Sequence, residues 1–298
     1  MVRVLAPAKL NLHLEILARE DSGYHQLETL FCALELADEL ELEPAAGGVE
    51  LVIEAATPEA GAGLGRVTDN LVYRAAQLYL AQVGLAEGVR IRLHKRIPVG
   101  GGLGGGSSDA AATLLALDRM HRDRLGARGR LRLAAQLGSD VPFFLCGSPL
   151  ALAWGRGGRL LPLEPLSSLP VLLLLPGQGV ATGEAYAELD RRRQGTATAT
   201  PPEVLRTSRL TDWDHLARHA RNDFEDVVFE LLPQLAAAKQ ALLREGAVMA
   251  QLTGSGSTVF GVFRDQGRLQ RAADAAAALG IRTLLTRTAC PPSPPPFG

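Results

Sequence analysis

The chain has 298 residues, 47% of them hydrophobic and 21% charged, with a formal net charge of −1. A chain of this length buries a sizeable core and, at roughly 100–200 residues per domain, is expected to hold two domains. Near-neutrality leaves no global field to attract nucleic acid or an anionic membrane surface, so neither is an expected partner and any anionic ligand must be held locally.

The three cysteines, Cys32, Cys146 and Cys290, are widely spaced and form no CxxC pair. That pattern fits a reducing compartment better than a disulfide framework or a zinc ribbon. No basic segment followed by an apolar one opens the chain, and the longest purely aliphatic run is Val171 to Leu175, far short of a membrane span. A cytoplasmic protein is expected. Of the 31 basic residues only Lys9, Lys95 and Lys239 are lysine. Arginine supplies neither a compact ammonium nor a readily lost proton, so lysines in such a chain merit inspection. Lys239, on an alanine-rich stretch, reads as a surface residue, whereas Lys9 and Lys95 adjoin motifs.

In chain order, Val2 to Leu5 reads as a strand that Pro7 interrupts. Leu10, Leu12, Leu14 and Ile16 then alternate with polar residues, the period of a half-buried strand. Asp21-Ser22-Gly23 is a turn, Thr29 to Leu42 one or two strands, Val49 to Ile53 another, and Ala56 to Gly65 a small-residue loop. Asp69 or Asn70 can cap a helix running to Val83. Val89, Ile91 and Leu93 alternate with Arg90, Arg92 and His94 in a strand leading to Pro98. A helix is expected from Ser107, Ser108 and Asp109 to Met120, and a second over Arg130 to Leu137.

Leu163 to Pro170 is a plausible domain junction, and Val171 to Leu175 a buried strand. Helices follow at Ala185–Arg193, Trp213–Ala220, Asn222–Phe229, Leu235–Glu245 and Leu269–Leu279. Strands are expected at Val248–Leu252, Val259–Phe263 and Arg282–Arg287. Gly195 to Pro202 reads as a polar loop, and the five prolines after Cys290 as a disordered tail. Strands and helices in both halves with antiparallel-type alternation indicate an α+β protein.

The chemistry concentrates in Pro98-Val99-Gly100-Gly101-Gly102-Leu103-Gly104-Gly105-Gly106-Ser107-Ser108. Glycines let backbone N–H groups converge on an anion without Cβ clashes, and the helix that follows aims its unpaired N–H groups and positive dipole end at the same point. The two serine hydroxyls can bond phosphate oxygens. Asp109 is awkward there, since a carboxylate repels phosphate unless it points away or meets a cation. A tight packing turn is the plainer alternative, and phosphate binding is the favoured reading. No GxxxxGK[ST] is present. The GxGxxG at Gly100, Gly102 and Gly105 lacks the buried parallel strand that a dinucleotide fingerprint requires. His121-Arg122-Asp123 follows too closely to be a protein-kinase catalytic loop.

Three segments occur in order: Pro7-Ala8-Lys9-Leu10-Asn11-Leu12, the glycine loop, and Leu252-Thr253-Gly254-Ser255-Gly256-Ser257. Together they resemble the GHMP kinases, the superfamily of galactokinase, homoserine kinase and mevalonate kinase. Gly23-Tyr24-His25 and Gly138-Ser139-Asp140-Val141-Pro142-Phe143-Phe144 narrow the resemblance to the branch that phosphorylates 4-diphosphocytidyl-2-C-methyl-D-erythritol.

The resemblance implies two α+β domains, one like the second domain of ribosomal protein S5 (1–162) and one ferredoxin-like (163–288), with a tail at 289–298 and the active site in the intervening cleft. It implies ATP-dependent transfer to the 2-hydroxyl of that alcohol in the non-mevalonate isoprenoid route. Mg²⁺ is expected on the ATP phosphates and water, with no protein metal cage. Small-molecule substrates are the expected partners, and the chain is expected to be a monomer or weak homodimer.

By resemblance Lys9 and Asp140 are catalytic, with Lys9 paired to Asp140. Asn70 and Lys95 lie on the adenosine side, and Asn11, Tyr24, His25, Phe31 and Thr182 contact the cytidine diphosphate substrate, with Tyr186 a candidate partner for cytosine. Residue chemistry alone leaves alternatives open. Asp140 reads equally as a turn aspartate, Asn70 as a helix cap, Tyr24 and Phe31 as core aromatics, and His25 as a turn histidine. His215 and His219 have a metal-compatible spacing but no third ligand, so a solvated helix face is the better reading.

Overall fold

Two long strands carry the first part of the chain: β1 (Val2–Arg19) and β2 (His25–Ala45), joined by a turn in which Glu20 N–H donates to the Tyr24 carbonyl at 2.7 Å. β1 runs through Pro7 without a break. Among the described strands it pairs with β2, and an edge strand tolerates a residue that lacks an N–H. The structure, a computed structural model, describes residues 1–61, 63–177, 180–193 and 207–289. The loop expected near Gly195–Pro202 and the proline-rich tail lie outside them. The chain divides into two units, and β1 and β2 each contribute to both.

The first unit comprises Met1–Lys9, Leu36–Val99 and Leu103–Gly147. Here β4 (Gly88–Lys95) pairs antiparallel with the end of β2, Leu40 opposite Leu93, and parallel with β3 (Val49–Ala55), Ile53 opposite Leu93. The lead-in to the glycine loop is thus antiparallel on one side, as its alternation suggested, and parallel on the other. The crossover between β3 and β4 supplies the parallel pair. It contains α1 (Pro58–Gly61), inside the expected loop, and α2 (Leu71–Val83).

Period-2 alternation sorts this sheet. Leu40, Leu42, Val89, Ile91 and Leu93 face a core shared with α2, α3 (Gly105–Met120) and α4 (Gly126–Leu137). The other face carries ion pairs such as Arg90–Glu50 at 2.7 Å and Arg92–Glu41 at 3.4 Å. Asp118, fully buried near the end of α3, accepts from Tyr79 Oη (3.2 Å), Leu125 N (2.9 Å) and Gly126 N (3.1 Å), and pairs with Arg130, so it links α2, α3 and the start of α4.

The second unit comprises Leu10–Glu35, Gly100–Gly102 and Ser148 onward. The first half of β2 pairs antiparallel with β5 (Leu150–Gly155), which pairs with β6 (Arg159–Pro162). A separate antiparallel sheet has the order β10–β7–β9–β8, from β7 (Pro170–Leu175), β8 (Met249–Leu252), β9 (Val259–Val262) and β10 (Arg282–Arg287). All six residues of β7 are buried.

Among the described residues six helices accompany these strands: α5 (Thr182–Arg193), α6 (Thr207–Leu210), α7 (Trp213–His219), α8 (Glu225–Leu231), α9 (Pro233–Arg244) and α10 (Gln266–Ala278). Leu172, Leu174, Phe224, Val228, Leu235, Leu242, Leu252 and Phe263 belong to one core, to which α5, α8, α9 and α10 contribute. Lys239 is not a free surface lysine. Its ammonium meets Glu225 Oε2 at 2.6 Å, while Glu225 Oε1 accepts from Leu252 N–H at 2.9 Å and so fixes the end of β8.

Candidate active site

In the first unit, the glycine segment resumes at Leu103, whose carbonyl accepts from Lys9 N–H at 2.9 Å. α3 begins at Gly105, two residues before the serines expected to open it, with Gly104 as its N-cap. Gly104 has φ +72°, and a Cβ there would stand 2.8 Å from Lys9 Cγ. Glycine is therefore required both by the left-handed backbone and by the close passage of Lys9. The first turn of the helix leaves the N–H groups of Gly105, Gly106 and Ser107 without intrahelical acceptors, while Ser108 N–H already donates to the Gly104 carbonyl at 2.9 Å. Ser108 is buried, and its Oγ has no hydrogen-bond partner among the described residues. Three N–H groups left without intrahelical acceptors at a helix start fit a phosphate group. Val99 N–H donates to the Glu59 carbonyl at 3.1 Å, tying the lead-in Pro98-Val99 to α1.

Lys9 Nζ lies 3.6 Å from Asp140 Oδ2. Asp140 directly precedes a 3-10 turn, Val141–Leu145, that buries Val141, Pro142 and Phe143 and leaves the carboxylate partly exposed. Burial lowers the Lys9 ammonium from its usual range, and Asp140 works against that shift. Asn70 caps α2, its Oδ1 accepting from Val72 N–H at 2.9 Å, which was the plainer of its two readings. Lys95 is buried with Asp38 and Asp109, its ammonium 2.8 Å from Asp109 Oδ2. The cation that Asp109 needed is this lysine.

In the second unit, residues from all three sequence segments converge on Thr253. Its hydroxyl accepts from Asn11 N–H at 3.1 Å and reaches two acceptors, the Gly102 carbonyl at 3.2 Å and Asn11 Oδ1 at 3.4 Å. Asn11 Nδ2 donates to Thr29 Oγ1 at 2.8 Å, which in turn donates to the His13 carbonyl at 2.6 Å. Gly102, at φ +77°, passes so close that a Cβ would lie 2.1 Å from the Thr253 carbonyl oxygen. Gly100, at φ +79°, has open space around it, and Gly101 lies between them.

Buried Asn222 fixes the late glycine turn. Its Nδ2 donates to the carbonyls of Leu252 (2.8 Å) and Gly254 (2.9 Å), and its Oδ1 accepts from Phe224 N–H at 3.0 Å. Thr182 and Ser255 exchange a hydroxyl hydrogen bond at 2.9 Å. Asn222 carries no signal in the sequence beyond its place at the start of an expected helix, Asn222–Phe229.

His25 Nε2 meets Asp190 Oδ1 at 2.7 Å, and its ring stacks on Tyr186 with centroids 4.4 Å apart. Tyr186 packs edge-on against Phe224 at 4.9 Å. Phe31 is 2% exposed, whereas Tyr24 is 60% exposed with the Arg156 guanidinium 4.1 Å above its ring. The rings of His215 and His219 stack at 4.2 Å. Among the described residues, no group of three His, Cys, Asp or Glu could hold a metal ion.

A family model of the GHMP kinases N terminal domain matches residues 70–148, and one of the GHMP kinases C terminal matches residues 203–282. The 4-diphosphocytidyl-2-C-methyl-D-erythritol kinase of Pelotomaculum thermopropionicum is 40% identical over 289 residues, 97% of this chain and 98% of its own. The same-named protein of Deinococcus radiodurans is 40% identical over 277 residues, 91% of this chain and 87% of its own. The chain belongs to this kinase family.

A crystal structure of 4-(cytidine 5'-diphospho)-2C-methyl-D-erythritol kinase aligns with a TM-score of 0.76 at 37% identity, covering 97% of this chain and all of that one. A homoserine kinase from Cytophaga hutchinsonii aligns with a TM-score of 0.70 at 18% identity, covering 97% of this chain and 94% of its own, and shares the fold. The expected α+β GHMP kinase fold, the narrower kinase branch and the enzyme class are the ones found. Kinase membership makes ATP the co-substrate. No described helix is long and apolar enough to cross a membrane.

Proposed function

We propose that the chain transfers the γ-phosphoryl group of ATP to the 2-hydroxyl of 4-diphosphocytidyl-2-C-methyl-D-erythritol, giving the 2-phosphate and ADP. The observation that carries the catalytic assignment is the Lys9–Asp140 pair at 3.6 Å, with Lys9 running past the glycine that caps α3. In this reading Asp140 accepts the hydroxyl proton while the freed oxygen attacks the γ-phosphorus. The bond from that phosphorus to the β-bridging oxygen breaks, and ADP leaves with the electron pair. The Lys9 ammonium offsets the negative charge that gathers on the transferring group.

The N–H groups of Gly105, Gly106 and Ser107 and the Ser108 hydroxyl hold phosphate oxygens, with the remainder of Pro98–Ser108 shaping the loop. Asn70 and Lys95 are assigned to the nucleotide side, Lys95 from beneath the loop. Mg²⁺, carried by the phosphates and water, supplies further charge neutralisation. Asn11, Tyr24, His25, Phe31 and Thr182 are assigned to the cytidine diphosphate substrate, with Tyr186 offering a face for the base. The enzyme is taken to act in the cytoplasm as a monomer or weak homodimer.

Phosphorus NMR of the product formed from ATP and this alcohol tests the reading. A new phosphomonoester resonance coupled to the carbon bearing the 2-oxygen is expected. Phosphorylation at any other hydroxyl, or of the diphosphate, would overturn it.

A further inference from the structure

The carboxylates of Asp38, near the middle of β2, and Asp109, in α3, both close on the Lys95 ammonium at the end of β4. None of the three side chains is more than 3% exposed. Asp38 is fully engaged: besides Lys95 it accepts from the backbone N–H groups of Arg96 at 2.5 Å and Ile97 at 2.9 Å. Asp109 is not, because its Oδ1 is buried with no hydrogen-bond partner among the described residues. The ammonium lies directly under the first turn of α3, where a Cβ on Gly105 would stand 3.2 Å from Nζ.

Counting charges, two ionised carboxylates around one ammonium leave one buried negative charge beneath a helix N-terminus. Such a charge opposes binding of another anion there and is costly in itself. Of the two carboxylates, only Asp109 has an oxygen that no donor stabilises, so it is the one to take a proton. We propose that the Asp38–Lys95–Asp109 cluster is a seat for the phosphate loop that is charge-balanced only when Asp109 is protonated, so that binding nucleotide phosphates takes up a proton at Asp109. This rests on the reading of the loop as the phosphate site.

Burial first, and then the neighbouring Asp38, push the Asp109 carboxyl up to about 8 against the opposing pull of Lys95. Among the described residues, Lys95 and Asp38 are the charged groups recorded against it. α2, which packs along α3, keeps Arg74 exposed and presents Val72, Ala75 and Ala76. From β1, Lys9 is engaged with Asp140. Lys95 and Asp109 are therefore positioning residues, acting on phosphate through the helix start.

The test is calorimetry of a non-hydrolysable ATP analogue with Mg²⁺ at pH 8.5 in two buffers of different ionisation enthalpy. At this pH the Mg²⁺-bound terminal phosphate is already ionised, so a proton taken up goes to the protein. The wild type is expected to take up about half a proton or more per site, with affinity falling at most ~10-fold per pH unit above that range. Asp109→Asn should bind the analogue with no uptake. Asp38→Asn, which leaves one carboxylate for one ammonium, should also abolish the uptake and carries the assignment if Asp109→Asn does not fold. Uptake that persists in these variants would place the proton on Lys9 instead and overturn the proposal, as would binding without uptake in the wild type. Absence of binding in the folded wild type would refute the phosphate-loop reading itself.

Discussion

Replacing Gly102 with alanine tests the junction at Thr253, and Gly100 supplies its control. Both glycines sit at positive φ, +77° and +79°. An alanine at either position pays about 1–2 kcal/mol for left-handed backbone. Only at Gly102 does the added methyl also collide, 2.1 Å from the Thr253 carbonyl oxygen and 3.0 Å from its carbon, whereas at Gly100 nothing lies within 4 Å. Relieving the contact requires the Thr253 turn and the glycine segment to separate by about 1 Å, which strains or breaks the hydrogen bond from Thr253 Oγ1 to the Gly102 carbonyl. Overpacking of this kind adds about 1–3 kcal/mol. Gly102→Ala should therefore unfold at distinctly lower urea than Gly100→Ala at unchanged m. A misplacement of about 1 Å near reacting groups also costs on the order of 10²-fold in rate, so kcat/KM should fall by about that factor for Gly102→Ala alone. Equal kcat/KM and equal urea midpoints in the two variants would refute the claim that this contact holds the segment in place.

Lys9→Ala and Asp140→Ala should each lose turnover by at least ~10³-fold while still binding an ATP analogue in calorimetry, since neither supplies the phosphate-binding N–H groups. Asn222→Ala leaves two carbonyls and the Phe224 N–H without their partner and should cost about 3 kcal/mol or more, read from urea unfolding. Asp109 holds its proton to higher pH in the folded chain, about 8 against 3.8 for an unperturbed group, so the folded state binds more protons than the unfolded one across that window. Its contribution to stability must fall as pH rises from about 4 to 8. Asp109→Asn should remove that decline, seen as a smaller loss of Tm between pH 5 and pH 8 than in the wild type.

What depends on local pattern was legible in the sequence. The alternation of Arg90, Arg92 and His94 with apolar residues placed one strand, and the glycine run beside serines placed the helix start to within two residues. β5 and β6 were not read, because Leu150–Gly155 and Arg159–Pro162 lie among glycines and prolines and owe their form to pairing with β2 and with each other. Pro7 misled for the same reason, since its rank as an edge residue is settled by neighbours far along the chain.

The candidate site divides along similar lines. Lys9, Asp140 and the glycine loop stood out by residue type and motif. Asp109 looked misplaced because its cation, Lys95, arrives from β4 together with Asp38, 57 residues before it. The Asp190 partner of His25 is 165 residues away, and Asn222 acts on backbone carbonyls that no composition or periodicity marks. Long-range hydrogen bonds of this kind are written in the fold rather than in any window of residues.

The substrate claim is tested most directly by a coupled ADP-release assay with 4-diphosphocytidyl-2-C-methyl-D-erythritol, mevalonate and homoserine offered separately at equal concentration. ADP release with the cytidylyl substrate, and none above background with the other two, is the predicted result. Turnover of mevalonate or homoserine in preference to it would contradict the account.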